Sequence, residues 1–132
     1  KISAVREIIK KMKLKNCEAG VGRCEILGHD KKYREKFDAV TARALAPLPA
    51  LLELAAGFVK EGGRFYAWKG QHYKDELKNA KNAIKILNFK LTDQYEYEVA
   101  ESGPRVILEF TKIAKLDPQY PRKNGVPLKS PL

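Results

Sequence analysis

Two predicted strands each end on a cation. The run Phe37-Asp38-Ala39-Val40-Thr41-Ala42-Arg43 closes on a guanidinium, and Arg64-Phe65-Tyr66-Ala67-Trp68-Lys69 closes on an ammonium. Open α/β sheets bind ligands at the carboxyl ends of their strands. Side by side at such ends, Arg43 and Lys69 suit a carboxylate or a phosphate. The same residues also read as cations that simply face solvent. A second group of cations closes the chain. The last thirteen residues, Tyr120 to Leu132, hold Arg122, Lys123 and Lys129 among three prolines and a glycine. Proline lacks an amide donor and fixes φ, so this run reads as an extended basic arm laid over a surface. Arg122, Lys123 and Lys129 are its candidates for phosphate contact. Tyr120 either stacks on a base or packs the root of the arm onto the domain.

The remaining reactive side chains are few. His29 and His72 have no evident partner, and Ser3, Ser102 and Ser130 stand in no nucleophile motif, so surface or capping roles are expected for all five. Cys17 and Cys24 are seven residues apart, which is neither a metal spacing nor a disulfide framework. Ordinary reduced thiols and no bound metal are expected. The one G-x-G, Gly20-Val21-Gly22, has Glu25 where a dinucleotide fingerprint needs its third glycine, and it reads as a turn. What remains is chemistry by positioning and charge.

The chain has 132 residues, with 26 Lys+Arg against 16 Asp+Glu and a formal charge of +10. That length suits one domain, or a large part of one. The charge excess attracts phosphate backbones through counterion release, although a uniformly basic protein would show it too. No apolar run approaches the roughly 18 residues of a membrane span, and no signal peptide is visible. A cytoplasmic protein without a membrane partner is expected. The first residue, Lys1, opens directly on helical periodicity, so the chain is expected to begin inside a larger protein.

Helices and strands alternate around the candidate residues. Ile2, Val5, Ile8, Ile9 and Met12 mark one face of a helix. Cys17 to Val21 reads as a short strand, Gly22 to Gly28 as a turn with a helical fragment, and Asp30 to Lys36 as a solvated charged run. After the strand ending at Arg43, Pro47 and Pro49 suit helix entry, and Leu51, Leu52, Leu54, Ala55 and Phe58 continue that helix. Gly62-Gly63 reads as its end. Tyr73 to Leu87 is an amphipathic helix with Leu77, Ala80, Ile84 and Leu87 inward. Leu91 to Val99 and Pro104 to Lys112 alternate as half-buried strands joined by a short hairpin loop, Glu101-Ser102-Gly103. This order predicts an α/β fold, a mostly parallel sheet closed by an antiparallel hairpin over residues 1–112, followed by the arm over 113–132.

Four segments carry a resemblance. They are Phe37 to Ala44, Gly63 to Gly70, Arg105-Val106-Ile107-Leu108, and the pattern YPR-K-x-G-x-P-x-K-x-P-L of the arm. In this order and spacing the chain resembles the bacterial 16S ribosomal RNA guanine-N7 methyltransferase G family, also called glucose-inhibited division protein B. The resemblance runs over nearly the whole chain. It implies a class I methyltransferase fold, S-adenosylmethionine as donor and N7 of one guanine in the small-subunit rRNA as acceptor. The family's Ala-Glu pair against the donor's adenine maps to Cys24-Glu25, preceded by Arg23. The change to cysteine keeps a small apolar side chain and any backbone amide contact. The family's arginine in the VTARA strand maps to Arg43, on the donor's side. Lys69 and Arg105 match further polar positions and are candidates on the RNA side.

One departure is large. The family's glycine-rich donor loop and its acidic ribose-binding residue have no counterpart here. The chain therefore looks like the carboxyl-terminal half or more of the enzyme, with an uncovered sheet edge expected where the central strand would lie. Guanine N7 has an in-plane lone pair and no proton at neutral pH, so its methylation needs no general base, in keeping with the scarcity of acid–base groups. The implied partner is 16S rRNA or the small ribosomal subunit, met by a monomer. Two alternatives stay open. One is a non-catalytic basic RNA- or ribosome-binding module. The other is an α/β enzyme that clamps a small anionic substrate between Arg43 and Lys69.

Overall fold

The computed structural model describes residues 1–100 and 103–132. Its sheet is built from β1 (Phe37–Arg43), β2 (Val59–Lys69), β3 (Phe89–Val99) and β4 (Gly103–Lys112), in the order β1-β2-β4-β3. β1 runs parallel to β2, while β4 is antiparallel to both β2 and β3. The sheet is therefore mixed. The closing hairpin is present, and its Glu101-Ser102 lies outside the described residues. In this register Arg43 pairs with Trp68, and Trp68 pairs with Ile107. The ends of three strands meet at one edge of the sheet.

Side chains alternate between the two faces, as strand geometry requires. Phe65 and Ala67 of β2, with Val106, Leu108 and Phe110 of β4, are buried on one face. A shift in pairing between Leu91 and Asp93 resets β3. Beyond it, Tyr95 and Tyr97 stand opposite Ile107 and Arg105, on the other face. The buried face packs on α3 (Leu48–Ala56), all of whose residues are buried, as suits a helix that is apolar nearly all round.

Three element boundaries differ from expectation. The glycines Gly62-Gly63 do not end α3, which stops at Ala56. They lie inside β2, where the β1–β2 register is irregular. A Cβ on Gly63 would fall 2.9–3.0 Å from the carbonyl oxygens of Lys60, Asp38 and Phe37, so the backbones approach too closely for any side chain. The single helix expected from Tyr73 to Leu87 is two, α4 (Tyr73–Asn79) and α5 (Lys81–Ile86), joined at the buried Ala80. Periodicity cannot register a bend that keeps the same face inward. Residues 17–21 form no strand, because no strand among the described residues lies beside them to complete a ladder.

Among the described residues β1 has a neighbouring strand on one side only, so the uncovered edge expected from the sequence is present there. The helix α1 (Ile2–Lys11) also forms as its periodicity predicts, yet none of its residues is buried. Val5, Ile8 and the adjoining Met12 are 45%, 54% and 63% exposed.

The chain's end is not a free extended tail. Tyr120 and Pro121 are buried, and Gly125, at φ +80°, starts the short helix α6 (Val126–Lys129) with Pro127 in its first turn. This is the position at which a helix tolerates proline.

A candidate cleft at the strand ends

A cleft of about 730 Å³ opens at the carboxyl ends of β1 and β2. Arg43, Lys69 and Arg105 all line it, with Trp68 and Tyr97. Three cations selected from sequence are thus brought together. The turn out of β1 is sharp, with Ala44 in the left-handed region at φ +51°. A non-glycine residue held there costs on the order of 1–3 kcal/mol and marks a segment fixed by its surroundings.

Lys69 does much of that fixing. Its side chain is only 8% exposed, and its Nζ donates to the Ala46 carbonyl at 2.8 Å and to Glu76 Oε2 at 2.7 Å. The same carboxylate oxygen accepts the Leu48 amide at 2.7 Å, which ties α4 to the start of α3. Lys69 therefore braces the loop behind Arg43. Two of its three ammonium N–H groups are therefore engaged inside the protein.

Arg43 is exposed and has no hydrogen-bond or ion-pair partner among the described residues. Arg105 is half-buried and donates only to the Pro104 carbonyl next to it, at 3.2 Å. These two guanidinium groups are open to an anion. Between them Trp68 donates its indole N–H to Thr41 Oγ1 at 2.8 Å and meets Tyr97 edge-on, ring centres 6.2 Å apart. Together they form an aromatic wall. His72 sits on the rim at the start of α4, exposed and without a side-chain cap.

Cys24 and Glu25 lie elsewhere, on α2 (Cys24–Leu27), and do not line this cleft. Burial pushes the Cys24 thiol up. Glu25 is buried and accepts the Gly125 amide at 2.9 Å and Arg23 at 3.1 Å. Burial works against its charge, but these bonds outweigh it and hold the carboxyl below its usual range. Glu25 thus joins α2 to the chain's end.

The arm cations divide. Lys123 and Lys129 are exposed, and their ammonium groups have no polar partner among the described residues. Arg122 faces inward instead. Its Nε and Nη2 donate to Glu53 at 2.9 and 2.7 Å, and its amide donates to the same carboxylate at 2.7 Å. Glu53 is fully buried in α3. Arg122, expected on a phosphate, is therefore held by a buried carboxylate, because a charge inside an apolar helix requires a partner.

Sequence reading missed Glu53, although one acidic residue inside Leu48-Pro49-Ala50-Leu51-Leu52-Glu53-Leu54-Ala55-Ala56 was the available signal. It also missed Arg34 and Glu35, taken as solvated. Arg34 donates to the Gly28 and Tyr120 carbonyls at 2.9 and 2.8 Å. Glu35 accepts the Leu116 amide at 2.9 Å and the buried Lys112 at 3.4 Å. His29 reaches the Pro121 carbonyl at 2.6 Å. The root of the arm is clamped on several sides, and Tyr120 is packed into it.

The model of the GidB family, rRNA small subunit methyltransferase G, matches residues 1–101. This chain belongs to that family. Ribosomal RNA small subunit methyltransferase G of Oenococcus oeni is 38% identical over 132 residues, covering 100% of this chain and 54% of that protein. The methyltransferase G of Clostridium novyi is 42% identical, covering 100% of the chain and 55% of its own length. The chain thus spans about half the length of the curated relatives it matches. Among solved structures, M. jannaschii TYW2 in complex with AdoMet aligns at a TM-score of 0.60 and 18% identity, over 85% of this chain and 53% of that one. Aeropyrum pernix fibrillarin with bound S-adenosyl-L-methionine aligns at 0.58 and 14%, over 83% and 51%. These likenesses establish the α/β methyltransferase fold. Arg43 and Lys69 fall inside the residues matched by the methyltransferase G family model, and Arg105 and the arm inside the match to its members.

Proposed function

We propose that this chain forms the strand-end cleft of a longer S-adenosylmethionine-dependent enzyme that methylates N7 of a guanine in 16S small-subunit rRNA, acting as a monomer in the cytoplasm. The observation that carries this reading is the guanidinium of Arg43 at the carboxyl end of β1, without a partner among the described residues, in a chain of the methyltransferase G family.

The residues present fit such a donor. A guanidinium without a partner among the described residues, beside a braced turn, suits an amino-acid carboxylate received bidentately, and the Lys69–Glu76 pair braces the loop that follows Arg43. Cys24, half-buried beside a backbone turn, supplies the adenine contact by its place in the family pattern. When bound, S-adenosylmethionine provides a sulfonium methyl group as electrophile. The chain's residues orient the reactants. Trp68 and Tyr97 wall the cleft and limit water. N7 carries no proton, so no residue has to remove one. Arg105 meets an RNA phosphate, and Lys123 and Lys129 draw the backbone onto the arm. Product guanine is cationic, which places Arg43 on the donor's side and away from N7.

The test is calorimetric titration of S-adenosylmethionine and its demethylated product into the longer enzyme that carries this segment, beside salt-dependent RNA binding. Micromolar donor binding is expected of that enzyme, while the segment alone is expected to be inactive. RNA binding by the longer enzyme with no donor heat would overturn the enzymatic reading in favour of a non-catalytic RNA module.

A further inference from the structure

Register gives the cations and aromatics of the strand-end cleft an order. Arg43 pairs with Trp68, Trp68 with Ile107, and Arg105, two residues from Ile107, with Tyr97. Arg43, Trp68, Arg105 and Tyr97 therefore stand on one face of the sheet, and all four line the cleft. In the order β1-β2-β4-β3, Tyr97 lies three strands from Arg43, about 14 Å across the sheet at the usual strand spacing. Glu96 and Glu98, beside Tyr97 in sequence, alternate to the opposite side with their partners Val106 and Pro104. The cleft's own carboxylate, Glu76, is taken up by Lys69 and the Leu48 amide.

Tyr97 is half-buried, and Trp68 meets it edge-on with 79° between the ring planes. Whichever ring presents its edge, one face of Tyr97 stays uncovered by Trp68. Trp68 itself is the poorer platform for a base that becomes cationic. It is the register partner of Arg43, so a charged base on it would lie beside a guanidinium. Arg105 Nη1 reaches over the end of β2, 3.7 Å from where a Cβ on Gly70 would stand, while Tyr97 stands on β3.

We infer that the guanine undergoing methylation stacks on the open face of Tyr97, with Arg105 on a phosphate of the same nucleotide. The inference rests on the proposed function and names the residue that holds its substrate base. Unpaired bases stack on aromatic side chains. As the N7 lone pair bonds the methyl carbon, the methyl–sulfur bond breaks and sulfur keeps its electron pair. Positive charge thereby passes from the sulfonium to the guanine, and no proton moves. The face of a tyrosine ring attracts a cation through its quadrupole. Tyr97 therefore holds the charged base more tightly than the neutral one. A contact that strengthens toward the transition state raises kcat.

The experiment uses the longer enzyme that carries this segment. Calorimetry compares guanosine monophosphate with its N7-methylated form, and steady-state kinetics follow methyl transfer to the rRNA. The methylated nucleotide is expected to bind about fivefold tighter, the scale of a partly desolvated cation–π contact. Tyr97→Leu, which keeps bulk without a π-face, should erase that difference. It should also lower kcat by about tenfold, with KM for RNA changed by less than about twofold and donor affinity intact. Tyr97→Phe should retain both the preference and the rate, since its ring keeps the π-face. Equal affinity for the two nucleotides, or a preference that survives Tyr97→Leu, would overturn this inference and leave the proposed function standing where N7 is still methylated. No N7 methylation by the unsubstituted enzyme would overturn both.

Discussion

Glu76 Oε2 accepts from both Lys69 Nζ and the Leu48 amide, each at 2.7 Å, so one oxygen fixes the loop that carries Arg43 and the start of α3 together. Lys69→Ala should lower stability by about 1–3 kcal/mol, the cost of leaving a part-buried acceptor under-satisfied, and should weaken donor binding as well. Arg43→Ala should weaken donor binding by about 1.5–3 kcal/mol, the scale of a charged hydrogen bond, with stability and RNA affinity nearly intact. Urea melts beside calorimetry separate the positioning residue from the contacting one. Equal loss of donor and RNA affinity in Arg43→Ala would remove Arg43 from the donor's side.

Arg122 should behave as a core residue. Deleting it leaves the fully buried Glu53 without a counter-charge, and breaking such a pair costs about 3–5 kcal/mol. Arg122→Ala should show this in denaturant unfolding. Arg122→Lys should recover only part, since lysine cannot reproduce the two-pronged contact. A surface-like effect below about 0.5 kcal/mol would contradict the burial.

Lys123 and Lys129 should act on RNA alone. Replacing both by glutamine should make the logarithmic dependence of RNA affinity on salt shallower by about 1.4, if each neutralises one phosphate of a single strand. Thermal unfolding should not move. An unchanged slope would locate the RNA path on another surface.

Tyr95 offers a test of the sheet's outer face by pH. Its phenol donates to Glu109 Oε2 at 2.8 Å, and that bond, with some burial, pushes its pKa up from 10.0 to about 12. Between these values the folded chain keeps a proton that the unfolded chain has lost. Stability is therefore expected to fall as pH rises through that window. Ultraviolet titration should show Tyr95 ionising late, beside Tyr73, whose bond to Glu96 also raises its pKa, and Glu109→Gln should bring Tyr95 alone back toward 10.0.

Much of the cleft was legible in the sequence because strand order and strand ends are local patterns. Arg43 and Lys69 close alternating apolar runs, and Arg105 opens another. What those side chains do was less legible. Lys69 and Arg122 read as free cations because their partners, Glu76 and Glu53, sit 7 and 69 residues away in sequence. One partner lies in an amphipathic helix and the other inside an apolar one. Only the fold brings them into contact. The expected strand at residues 17–21 failed for a related reason. A strand exists only with a neighbour to bond, and no strand among the described residues lies beside this segment.

The pairing of Glu53 with Arg122 also constrains how this sequence can change over generations. Neither position can drift alone, since each single replacement passes through a poorly folded intermediate. The two are expected to vary together among relatives, or to be exchanged jointly for apolar residues of similar volume. A premature stop just before Arg122 would be as damaging as a lesion in the centre of α3, although it removes only the tip of the chain.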